Sequence, residues 1–196
     1  MDDVRLGQLC RKGELPTPAR LPRVQAATTA ARPEDVERWL GELDLVPLQR
    51  ADREGITAWD LDLDGRRRFD LRTTLILDPA LGLICWAHLA PPIGDGLRKA
   101  YRLLLQWNDD FPFAKFSIAA DGRPILAVEL PGRFLDREEL GLALCRIVGI
   151  ADRLLDQSAG WLWIGGRAPA GYAERTSRNP GLLARYAGRL PELFEA

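Results

Sequence analysis

The sequence predicts an α+β domain: a mostly antiparallel, five-stranded sheet with helices on one side, in the order α-β-β-β-α-β-β-α. Two patterns predict it. Runs of alternating apolar and polar residues are joined by short Asp-Gly or Pro-Gly-containing turns, and hairpin-connected strands build antiparallel sheets. Three other stretches repeat apolar residues every three or four positions, as amphipathic helices do. The 196-residue chain is 46% apolar and 28% charged, enough for one well-buried core with extensions at its ends.

The first helix starts at Pro33, a residue favoured at the first helical position, with Glu34 and Asp35 suited to the positive end of the helix dipole. Val36, Trp39, Leu40 and Leu43 follow at helical spacing. Over residues 56–63, Trp59, Leu61 and Leu63 alternate with Asp60, Asp62 and Asp64, the pattern of a strand with one wet face. Asp64-Gly65 tolerates positive φ and predicts a hairpin, since Phe69, Leu71, Thr73, Leu75 and Leu77 resume the alternation. A turn over residues 78–82 leads to a third strand, with Ile84 and Trp86 opposite in facing to Leu83, Cys85 and Leu89.

A second helix is expected over residues 95–107, where Leu97, Ala100, Tyr101, Leu104 and Trp107 share a stripe. Two strands, residues 113–119 and 124–130, flank the turn pair Asp121-Gly122. The last helix opens on a capping pair, Asp136 and Glu139, and runs through Leu140, Leu144, Ile147, Ala151 and Leu154. The domain therefore occupies residues 33–158. Residues 1–32, with Pro16, Pro18 and Pro22 and an alanine-rich run, form an N-terminal extension, and residues 159–196 a C-terminal tail packing on the domain, with a short helix near Leu182 to Tyr186.

Charge excludes some partners. With 27 basic and 28 acidic residues the net charge is -1, which argues against nucleic acid and against an anionic membrane. No stretch approaches the roughly 18 apolar residues of a membrane span. The acidic start, Met1-Asp2-Asp3, has no apolar run behind it, so no signal peptide is expected and the cytoplasm is the expected location. Cys10, Cys85 and Cys145 fit reduced thiols better than a disulfide framework.

From about Pro92 to Asp156 the chain carries a pattern. A helix ends in Leu104-Leu105-Gln106-Trp107-Asn108-Asp109-Asp110, and Phe111-Pro112-Phe113-Ala114-Lys115-Phe116 follows. An Asp-Gly hairpin, Leu126-Ala127-Val128-Glu129-Leu130 and a helix opening Asp136-Arg137-Glu138-Glu139-Leu140 complete it. This resembles the YbjN-like family of bacterial sensory transduction regulators, whose fold is similar to that of type III secretion chaperones. The resemblance implies non-enzymatic binding of a protein or peptide, commonly by homodimers, and supplies no catalytic residues.

The residues offer little chemistry. Asp60-Leu61-Asp62-Leu63-Asp64-Gly65 matches the first half of a calcium loop, but the twelfth position is Leu71 where a bidentate glutamate is needed. His88 is the only histidine and cannot complete a zinc set with three scattered cysteines. Ser117, Ser158 and Ser177 lack any nucleophile-elbow context. Gly165-Gly166-Arg167 lacks phosphate-loop spacing, and Arg66-Arg67-Arg68 lacks interleaved aromatics. No cofactor and no metal are expected.

Tryptophan is the better guide, because aromatic anchors dominate interfaces. Trp39 and Trp107 lie on apolar helix stripes and belong to the core. Ile84, Trp86, Trp161 and Trp163 are the candidate partner-binding residues, in a non-catalytic protein- or peptide-binding module, chaperone-like or regulatory, with strand addition at an open sheet edge as a further device. An intramolecular cover, by the extension or the tail, is the competing account of the same residues. The alternative function is a small-molecule-binding or hydrolytic domain using a polar cluster of Asp60, Asp62, Asp109, Asp110, Arg72 and His88.

Overall fold

The computed structural model describes residues 31–93 and 98–195. The expected N-terminal extension, with Cys10, lies outside the described residues except for its last two. In chain order the elements are α1 (Pro33–Glu42), β1 (Gln49–Arg53), β2 (Ile56–Leu63), β3 (Leu71–Asp78), β4 (Gly82–His88), α2 (Arg98–Asp110), β5 (Lys115–Ile118), β6 (Pro124–Leu130), α3 (Arg137–Arg153), α4 (Leu155–Leu162), α5 (Pro180–Tyr186) and α6 (Pro191–Phe194).

All six strands pair antiparallel in the order β1-β2-β3-β4-β6-β5. The expected count of five was one short, because β1 reads Gln-Arg-Ala-Asp-Arg and is exposed at every position, so no apolar alternation marks it. It exists because Glu54 and Gly55 both adopt positive φ and turn the chain into a tight hairpin with β2. The inner face carries Trp59, Leu61, Leu63, Leu71, Leu75, Leu83, Cys85, Leu126 and Phe116, all buried. Helices cover this face: Val36 and Leu40 of α1, Leu104 and Trp107 of α2 and the whole core side of α3 join one apolar cluster with it.

Helix α3 is capped as its sequence predicts, the Asp136 carboxylate accepting from the Glu139 amide at 2.9 Å. It is buried on more than one side because the tail packs behind it. A Cβ on Gly141 would lie 2.3 Å from the Tyr186 ring, and one on Gly149 would lie 2.7 Å from the Phe194 ring. Both glycines serve close approach. Leu182, Tyr186, Leu190 and Leu193 of the tail are buried there.

Strands β2 and β3 form the expected hairpin, but Gly65 does not supply the positive φ of its connection. The connection spans residues 64–70, and the positive φ falls on Asp70 instead. Gly65 is needed for proximity, since a Cβ there would sit 2.2 Å from Asp152 Oδ1. The Asp152 carboxylate accepts from the amides of Arg66, Arg67 and Arg68 at 2.7, 3.0 and 2.6 Å, which orders the loop from the end of α3.

Candidate functional site

Strand periodicity places every second residue of β2, β3, β4 and β6 on the face away from the helices. The register aligns them in rows. Ala58, Ile76, Ile84 and Glu129 form one row, and Asp60, Thr74, Trp86, Ala127 and Lys115 the next. Where the inner positions are buried, Ile76, Ile84, Trp86 and His88 are only half-buried. Trp86 and His88 stack with ring centroids 6.1 Å apart. Trp86 Nε1 and His88 Nδ1 have no hydrogen-bond partner among the described residues, although both atoms are shielded from solvent. Burial, and then the Arg123 charge, hold the His88 imidazole below its ordinary value of 6.5, so it is neutral at neutral pH.

The four sequence candidates fall into three places. Ile84 and Trp86 are neighbours on this outer face. Trp161 lies on α4 and packs on the helix side, 5.4 Å from the Trp107 ring. Trp163 meets Tyr172 edge-on at 5.1 Å and lines a shallow cavity of about 340 Å³ with Arg67, Asp156 and Tyr172. A single surface of all four is therefore absent.

The polar cluster of the alternative reading is only half assembled. Asp60 accepts from the Thr74 hydroxyl at 2.6 Å and Asp62 pairs with Arg72 at 2.9 Å, so both carboxylates are occupied on the outer face near His88. Asp109 and Asp110 stand at the end of α2, and none of the larger cavities is lined by Asp60, Asp62, Arg72 or His88. The two larger cavities, about 460 and 530 Å³, flank the exposed Phe113 and share Arg146, whose guanidinium lies 5.6 Å from the Phe113 ring. Among the described residues no cluster of three potential metal ligands occurs. Asp64, third acid of the calcium-like run, is fully buried, and its oxygens are bonded by Arg178 and the Asp70 amide.

Two structurally decisive asparagines escaped the sequence reading. Asn108 lies beside the edge strand β5: its side-chain oxygen accepts from the Phe116 amide at 2.7 Å, and its nitrogen donates to the Phe116 carbonyl at 3.2 Å. It thus mimics a neighbouring strand and closes that edge at its centre. Asn179 does the same for the backbone of Asp64, accepting from its amide at 3.0 Å. The Asn108-Asp109 pair belonged to the family pattern, but an amide at a helix end carries no local sign of the strand it will meet.

A family model for YbjN, described as "putative bacterial sensory transduction regulator", matches residues 32–158. No curated protein matches the chain. No described helix is long and apolar enough to cross a membrane.

Proposed function

The chain belongs to the YbjN family, and from that premise we propose that it is a regulatory module that binds a protein or peptide without turnover. The observation that carries this reading is Trp86. A large aromatic with an unpaired indole N–H stands at the middle of a sheet face, with Ile84 and Ile76 beside it and acidic and basic residues around it. An apolar centre with a polar rim is the anatomy of a protein-binding patch. A secretion-chaperone-like use of the fold and a cytoplasmic setting, where Cys85 and Cys145 stay reduced, belong to the same proposal.

The non-catalytic part of the reading is supported by how the acids near His88 are used: Asp60 accepts from the Thr74 hydroxyl and Asp62 is paired with Arg72. The test is affinity capture from native lysate with wild type and Trp86→Ala, with matched thermal melts to establish that both are folded. Wild type should retain a partner that the variant loses by about 30-fold in affinity, the scale of a central aromatic anchor. Recovery of the same proteins by both would overturn the assignment of this surface.

A further inference from the structure

The two edges of the sheet are built differently. At β5, Asn108 occupies the outward N–H and C=O of Phe116. At β1 the two-residue turn Glu54-Gly55 makes Arg53 and Ile56 the hydrogen-bonded closing pair, so alternation directs Ala51 and Gln49 towards β2 and leaves the N–H and C=O of Arg50 and Asp52 facing outward. None of these four outward groups has a hydrogen-bond partner among the described residues. The strand is exposed along its length, and Val46 (83% exposed) and Leu48 (55%) stand beside it.

Charged edge residues commonly prevent self-association. Here the outward-facing residues alternate in sign, Arg50 then Asp52, so that one antiparallel register opposes unlike charges. Antiparallel pairing of β1 with a second β1 about an axis through Ala51 sets Arg50 of each copy opposite Asp52 of the other, in hydrogen-bonded positions, with the small Ala51 pair at the close approach on the axis. A register two residues off in either direction would oppose Arg50 to Arg50 or Asp52 to Asp52, and like charges opposite one another are unfavourable. Arg50 and Asp52 already contact each other within one chain, at 3.0 Å, and Glu37 also reaches Arg50, so the side chains lie on one face ready to exchange partners.

We propose that a second copy of this chain pairs with β1, giving a two-fold dimer with a continuous twelve-stranded sheet. About four backbone hydrogen bonds form across the axis, together with two reciprocal Arg50–Asp52 ion pairs and contact through Val46 and Leu48. The two outer faces then become one, with the Trp86 side chains about 34 Å apart, seven strand spacings. The inference is independent of what Trp86 contacts.

Charge reversal tests it on the full chain. Wild type should sediment as a dimer in the micromolar range. Arg50→Glu and Asp52→Lys should each weaken dimerisation about tenfold or more, since each places like charges opposite at two symmetric sites. Mixed in equal amounts, the two variants should recover a heterodimer, because both ion pairs are then restored, whereas a contact internal to one chain would gain nothing from mixing. Thermal melts establish that the exposed substitutions leave the fold intact. A monomeric wild type, or a mixture that sediments no faster than its components, overturns the proposal.

Discussion

Replacing Arg178 by alanine removes a guanidinium from a carboxylate that has no solvent contact of its own. Asp64 accepts from Arg178 Nε at 2.8 Å and from its terminal nitrogen at 2.7 Å, and the backbone amides of Asp70 and Arg178 supply two further bonds at 2.8 and 3.0 Å. Breaking a fully buried pair costs roughly 3–5 kcal/mol. Arg178 is itself 46% exposed, so water replaces part of what is lost, and the two backbone donors remain; the expected loss is about 2 kcal/mol. For a domain of this size that lowers Tm by about 4–8 °C. Burial works to raise the Asp64 carboxyl, but Arg178 and the amides outweigh it and hold it below its ordinary value of 3.8. A depressed carboxyl stabilises the fold above its unfolded value and loses that contribution as pH falls through the native one. The gap between wild type and Arg178→Ala, measured by urea denaturation, should therefore be full at neutral pH and narrow below about pH 4. A gap under about 0.5 kcal/mol at pH 7, or one that does not change with acid, would refute this account of Asp64.

Two other outcomes follow from single side chains. Asn108→Ala removes both bonds to the Phe116 backbone and should cost about 1–3 kcal/mol while accelerating hydrogen exchange of the Phe116 amide; unchanged exchange would mean the edge is closed by something else. Burial pushes the Cys85 and Cys145 thiols up to about 12, so in a Cys10→Ser background a thiol reagent at mildly alkaline pH should label the native protein only at the rate of opening, and rapid labelling of either would contradict their placement.

Local patterns were read well where one face of an element is dry. β2 and β6 occupy the expected residues, α3 starts at its expected cap, and α1 starts at Pro33. The edge strand β1 carries no signal in the sequence because neither face of it is buried, and within the expected β2–β3 hairpin the conformation of the connection is set from outside by Asp152. At the candidate surface, the neighbouring of Ile84 and Trp86 was legible from period-2 facing alone. Their separation from Trp161 and Trp163 was not, since Trp161 on α4 packs against Trp107 on the helix side while Trp163, just past the end of α4, meets Tyr172.

The sequence by itself determined the class of fold, the inner and outer faces of the strands and the helix that caps at Asp136, because each follows from periodicity or from groups within one turn. Only the tertiary structure decided which polar residues hold the molecule together. Asp64 finds Arg178 across 114 residues, and Asp152 finds the amides of Arg66, Arg67 and Arg68 across 86, 85 and 84. A carboxylate is acceptable in such places only when enough donors converge on it, and that convergence is a property of packed elements, not of any stretch of chain.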